Sequence, residues 1–447
     1  MKTDAPALPK TSPEGLLRGI RKWDLVAVAI NAVIGAGIFG LPSKVFALIG
    51  SYSLIAFIAC ALVVTLIILC FAEVGSRFDA TGGPYLYARE AFGPTVAFEV
   101  GWLIWLARIT AFAANFNLMI TYLSYFWPAA KTVLPRTVLI IFVVIGLTAI
   151  NIVGVRQTAV FSNLFTVGKL VPILLFIAAG LFFLNPSAFA LGEHPSAGGF
   201  SKSVLLLIYA FTGFEMAAIP AGESRDPRRH LPRALLMAIA VVAVTYILIQ
   251  VVCIGTLPEL GQSQMPLADA GRRFFGRAGG AIISAGVVMS VVGNLNIVLL
   301  SGSRVPFAIA EQKQLPGFLA IIHREFFTPY VAILITATLM LILTLKTSFL
   351  EALTISTIAR LVTYAVTCAA LPVLRRRKGV PAPMFKVRGG PVIAVAALIL
   401  AVWLLMNSTR REAVTALIAA AVGMVIYLAY RIVRYNARQR EKRDEST

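Results

Sequence analysis

Ile34-Gly35-Ala36-Gly37-Ile38-Phe39-Gly40-Leu41-Pro42 interrupts an apolar stretch, residues 25–48, that is long enough to cross a membrane. Glycine is costly inside a helix, and proline costs more. A span in contact with lipid cannot leave backbone N–H and C=O groups unpaired. The stretch therefore either packs deep in a helix bundle or breaks at Gly35-Ala36-Gly37 because something binds there.

The rest of the chain provides the bundle. Of 447 residues, 59% are hydrophobic and only 13% are charged, about half the ~25% usual for a soluble domain. An all-α polytopic membrane protein follows, with room for twelve spans of about 20 residues each. They are predicted at residues 23–49, 52–76, 96–126, 138–153, 160–184, 204–221, 234–257, 279–309, 330–345, 349–374, 392–407 and 413–430. Segment 1–20 is polar and lacks the apolar core of a signal peptide. The four cysteines, Cys60, Cys70, Cys253 and Cys368, fall inside spans and read as packing residues.

The formal charge of +20 is distributed as membrane topology requires. With both termini cytoplasmic, segments on the inner side carry about three times as many lysines and arginines as those on the outer side. The runs 375–378 and 438–443 therefore read as topology signals that also meet anionic lipid at the cytoplasmic face, and nucleic-acid binding is excluded. His194, His230 and His323 lie in predicted loops and form no metal cluster. No phosphate-binding loop or nucleophile–base pair is present, so no enzyme and no cofactor are expected.

A second broken span matches the first. Phe211-Thr212-Gly213-Phe214-Glu215, followed by Pro220, interrupts the sixth span. Each break opens a block of five spans, and an odd number of spans inverts the second block. Glycine-interrupted spans at corresponding positions of two inverted halves point to a transporter binding site. The organisation expected is a cytoplasmic segment 1–22, a first repeat 23–184, a second repeat 185–374, two further helices within 375–430 and a basic tail 431–447.

Together, 34–42, Gly82-Gly83-Pro84-Tyr85-Leu86-Tyr87, Thr166-Val167-Gly168-Lys169, 211–215 and Gly222-Glu223-Ser224-Arg225-Asp226-Pro227 resemble the amino acid–polyamine–organocation (APC) superfamily, over the whole chain. The resemblance implies a LeuT-like five-plus-five inverted repeat with discontinuous helices 1 and 6, and alternating access to a central amino acid site. Many relatives carry Ser or Thr where Ala36 stands, so here any substrate contact at that position must come from backbone N–H.

A zwitterion needs an anion site beside a cation site. Ile34, Gly35, Ala36, Gly37 and Ile38 open a half-helix whose free N–H groups and positive dipole end suit the α-carboxylate. The carbonyls of Val33, Tyr209, Phe211 and Thr212 suit the ammonium, and Gly213 permits close approach. Taken singly, each glycine is also a packing point between helices; two matched breaks favour binding. Tyr209 and Phe211 are candidates for a lid.

Lys169 lies in mid-span, where a lone ammonium costs on the order of 3 kcal/mol. The resemblance places it where sodium-coupled relatives hold a cation, as a proton carrier or as a fixed charge; both readings stay open. Arg108 and Arg360 need partners in the bundle, and Glu73 and Glu99 read as structural pairing residues. Glu215 reads first as an ion-pairing residue, then as a gate, then as a contact to the substrate's side chain. Ser290, Asn294 and Asn296 either line the site or join helices, while Lys44 is assigned no role. The function expected is proton-coupled symport of a small neutral amino acid across the cell membrane. Exchange of amino acids or polyamines is the alternative, and a channel or a non-transporting amino acid sensor are rivals from other classes.

Overall fold

Where one first span was predicted, there are two helices, α1 (Lys22–Val33) and α2 (Gly37–Ile49), separated by residues 34–36. The computed structural model describes residues 22–79, 82–153, 170–218, 224 and 226–444. Lys169, Pro220, Glu223 and Arg225 lie outside the described residues. Among those described, the regular elements are all helices: α3 (Ser53–Gly75), α4 (Gly83–Phe92), α5 (Pro94–Leu123), α6 (Val133–Val153), α7 (Leu170–Phe183), α8 (Ala197–Phe211), α9 (Glu215–Ala218), α10 (Pro227–Thr256), α11 (Pro266–Glu311), α12 (Tyr330–Lys346), α13 (Phe349–Arg376), α14 (Gly390–Met406) and α15 (Arg410–Asp444). Eight helical stretches are long and apolar enough to cross a membrane by length and composition, and α7, α12 and α14 are shorter apolar helices.

The second break separates α8 from α9 at residues 212–214. The two breaks pack against each other through their glycines. A Cβ on Gly37 would stand 2.7 Å from the Ala210 Cα, and one on Gly213 would overlap the Ala32 carbonyl. Gly213 has φ +116°, a conformation that side-chain-bearing residues rarely adopt. Each interrupted span thus uses a glycine to approach the backbone of the other. Around this crossing, α5 packs on α11 and α13, α10 on α3 and α1, and α2 on α8.

The C-terminal end of α3 is held by charge. Glu73, fully buried, accepts hydrogen bonds from Arg375 Nε (2.7 Å), Arg375 Nη2 (2.6 Å) and the Val387 N–H (2.8 Å), and Arg77 stands 3.7 Å away. Glu99 differs from the pairing expected of it: its Oε1 is buried with no donor among the described residues.

The stretch expected as a basic tail after residue 430 continues α15 as helix to Asp444. Residues 431–444 contain no Gly or Pro and are rich in Arg, Lys, Gln, Glu and Ala, all good helix formers. Between the predicted spans 234–257 and 279–309 the chain is largely helical, since α11 begins at Pro266 and bends at Phe275 and Gly276, where the glycine takes φ +59°. Gly261 in this segment lies on the backbone of Ala47, near the end of α2.

Candidate functional site

The ladder of α1 ends with the Ile34 N–H donating to the Ile30 carbonyl at 3.0 Å. Beyond it, among the described residues, the N–H groups of Gly35, Ala36, Gly37 and Ile38 find no acceptor, and the next bond runs from the Phe39 N–H to the Ala36 carbonyl. Four orphan donors at a helix start are normal. Here Gly35 is half-buried and the other three are buried; Gly35, Ala36 and Gly37 border a cavity, which the expected contact residue Ile38 does not line. Ile34 drops out of the expected carboxylate site, because its N–H is already paired.

The cavity, of about 40 Å³, is lined by both breaks: Val33, Gly35, Ala36 and Gly37 from the first, and Tyr209, Thr212 and Gly213 from the second. Such a volume holds about three water molecules. Met216 forms part of the wall, and its unbranched thioether can repack to admit something larger. A Cβ on Gly35 would meet Asn294 Nδ2 at 3.6 Å, an ordinary contact, so the space there is real and not taken up by backbone.

The carbonyl side is less open than the sequence suggested. The Val33 carbonyl accepts from the Tyr246 hydroxyl (3.1 Å), which also donates to the Ala210 carbonyl (3.1 Å). The Tyr209 carbonyl accepts from the Thr212 N–H (3.2 Å) and hydroxyl (2.8 Å). The carbonyls of Phe211 and Thr212 accept no backbone N–H among the described residues. The Phe211 ring does not line the cavity; it is fully buried against Tyr246, with ring centroids 5.1 Å apart, so its side chain is no lid.

A polar relay crosses the wall. The Tyr209 hydroxyl donates to Asn115 Oδ1 (2.8 Å), and Asn115 Nδ2 donates to Asn294 Oδ1 (2.6 Å), joining α8, α5 and α11. Tyr209→Phe keeps the ring but removes the donor. It is expected to cost about 1 kcal/mol, read as a lower unfolding midpoint in detergent; an unchanged midpoint would show that the relay adds nothing. The other polar residues of α11 do not reach the cavity. Asn296 accepts from Asn151 on α6 (2.9 Å), and Ser290 is buried without a hydrogen-bond partner among the described residues.

Arg108 of α5 and Arg360 of α13 also line the cavity, both nearly fully buried. Glu215 stands behind them rather than on the cavity surface. Its carboxylate accepts from Arg108 Nη2 (3.1 Å), Arg360 Nη1, the Tyr364 hydroxyl (2.7 Å) and the Gly213 N–H (3.0 Å). Four donors fill the acceptor capacity of a carboxylate. The geometry leaves Glu215 no free oxygen for a substrate and ties the second break to α5 and α13. Arg108 and Asn115 are lining residues that the sequence reading did not place in the site. With Ala111 they recur at helical spacing on one face of α5, a signal present in the sequence but hidden among the many apolar residues of that span.

A family model described as amino acid permease matches residues 20–429. The chain belongs to the amino acid permease family. Among its relatives in that family, it is 29% identical to the serine/threonine exchanger SteT of Bacillus subtilis (strain 168), over 96% of this chain and 99% of the relative. It is 26% identical to the branched-chain amino acid permease BcaP of the same organism, over 93% and 94% of the two chains. A methylthioribose transporter, also from that organism, is 26% identical over 94% of this chain and 95% of its own length. Membership makes the chain a multi-pass membrane protein of a transporter family, in keeping with its eight long apolar helical stretches.

Proposed function

We propose that this permease is a secondary active amino acid transporter that works by alternating access around its two broken spans. The observation that carries the reading is the cavity where the breaks meet, bordered by the unpaired N–H groups of Gly35, Ala36 and Gly37. Those N–H groups hold the α-carboxylate at the positive end of α2. The Phe211 and Thr212 carbonyls hold the ammonium. The reciprocal glycine contacts of Gly37 and Gly213 favour twelve spans with two inverted repeats, residues 23–184 and 185–374, followed by two helices within 375–430. Alternating access then rocks one set of helices against the other around a fixed crossing. The positive-inside charge pattern favours both termini in the cytoplasm of a cell whose inner leaflet is anionic.

Proton symport is the preferred coupling, with Lys169 as the residue that gains and loses the proton, because an ammonium at mid-span is costly in its charged form. Glu215 is a poor carrier, because four donors hold its charged form. Exchange is the second reading, favoured by the relative named as a serine/threonine exchanger. Purified protein in liposomes decides. Symport gives uptake of labelled amino acid into empty vesicles, driven by an inward proton gradient and lost in Lys169→Gln. Exchange gives uptake only into vesicles preloaded with amino acid. No saturable uptake of any amino acid under either condition would overturn the transporter reading.

A further inference from the structure

The cavity carries an excess of positive charge. Arg108 and Arg360 both line it, and the carboxylate facing them, Glu215, is a single negative charge whose acceptor sites are filled. Among the described residues that line the cavity, none is acidic. Each guanidinium has five N–H donors. Among the described residues, Arg108 donates from Nη2 to Glu215, and Arg360 donates to Glu215 and from Nε to Ser356 Oγ (3.3 Å), beside the Tyr364 hydroxyl. Further donors of both side chains are thus left to face the cavity, on residues exposed by only 3% (Arg108) and 5% (Arg360). A buried cation lacking a counter-charge is costly, and an acceptor supplied by the substrate relieves that cost.

The first break attracts anions for an independent reason. The unpaired N–H groups of Gly35, Ala36 and Gly37 belong to the first break, and they face the same small cavity as the two guanidiniums. One cavity therefore has two anion-attracting faces. A monocarboxylate amino acid satisfies one of them; an amino acid with two carboxylates satisfies both.

We propose that the preferred substrate is an acidic, dicarboxylic amino acid, with its α-carboxylate on the first break and its side-chain carboxylate on Arg108 and Arg360. This inference rests on the transporter reading above and names the substrate class of the same site. It replaces the small neutral substrate expected from sequence, an expectation that followed from looking for acidic rather than basic residues at the side-chain end. The guanidinium fork matches a carboxylate with two parallel hydrogen bonds, whereas the amide of a neutral isostere brings N–H groups to donors that cannot accept them.

The test uses pairs of equal size and different charge. Full-length protein in detergent is titrated with aspartate against asparagine, and glutamate against glutamine, reading the thermal-unfolding midpoint. The same four compounds then compete with labelled aspartate for uptake into liposomes. An acid that binds at least tenfold more tightly than its amide supports the proposal, and amides that equal or exceed the acids overturn it. Arg108→Gln should then bring the acid-to-amide ratio close to one. That ratio is internal to each protein, so a loss of expression does not affect it; if the variant does not fold, the wild-type ratio decides. Acids that bind selectively without uptake would support the site and overturn transport, and uptake of amides alone would do the reverse.

Discussion

Glu215→Ala is expected to destabilise the folded protein by about 3–5 kcal/mol and to abolish uptake. The carboxylate is nearly fully buried and holds two guanidiniums, a tyrosine hydroxyl and a backbone N–H in one cluster. Its removal leaves Arg108 and Arg360 as like charges without a common counter-ion, in a region where water cannot screen them. It also frees the Gly213 N–H, so the second break loses the anchor that ties it to α13 through Tyr364 and Arg360. Glu215→Gln keeps the volume and one carbonyl oxygen, but it supplies an NH2 group to a site that already contains only donors. It should recover little. The unfolding midpoint in detergent and liposome uptake are the measurements. If the loss comes from unbalanced charge, Glu215→Ala combined with Arg108→Gln will cost less than the sum of the two single changes. A Glu215→Ala protein with the wild-type midpoint and uptake would show that the cluster is idle.

The sequence was most readable where a cost is visible in the residue type. Glycine and proline in an apolar span announced the breaks at 35–37 and within 211–215, and they occur at 34–36 and 212–214, within a residue of those named. Charged residues in spans announced their need for partners, and Arg108, Arg360 and Glu215 were flagged in this way. Their mutual pairing was not readable, because positions 108, 215 and 360 lie on three different helices and no local spacing joins them. The same limit hid the role of Arg108 and Arg360 as cavity lining. It also led Phe211 to be assigned to a lid, since a ring beside a break has no sequence mark for the side it faces. The polar residues of α11 show how fine the distinction is. Asn294 and Asn296 are two positions apart, and one reaches the cavity while the other bonds to α6. Helical periodicity separates such neighbours only when one face of the helix is already known. The helical start of α11 at Pro266 was missed for another reason: it lies outside the apolar stretch 279–309 from which the span was read, and polarity hides a helix from a search for apolar runs.

Gly213→Ala is expected to abolish transport by separating the two breaks, while Gly35→Ala leaves the fold intact and acts on the cavity alone. At Gly213 two costs combine. The backbone has φ +116°, where a side-chain-bearing residue is strained, by about 1–3 kcal/mol. The new methyl group would also overlap the Ala32 carbonyl oxygen and sit 2.7 Å from the Ala32 carbonyl carbon. Backbone on both sides of this contact cannot rotate away as a flexible side chain does, so α1 or the α8–α9 turn must move. Either shift breaks the Glu215 contact to the Gly213 N–H and opens the crossing that Gly37 makes on Ala210. At Gly35 the nearest atom to an added methyl is 3.6 Å away, and no positive φ is involved. The methyl enters free space in a cavity of only about 40 Å³. Gly35→Ala should therefore keep the wild-type unfolding midpoint yet weaken substrate binding by tenfold or more, seen as a smaller ligand-induced thermal shift. Gly213→Ala should lower the midpoint itself. If both variants lower the midpoint equally, the glycines serve packing alone; if Gly35→Ala binds like the wild type, the substrate does not lie on the first break.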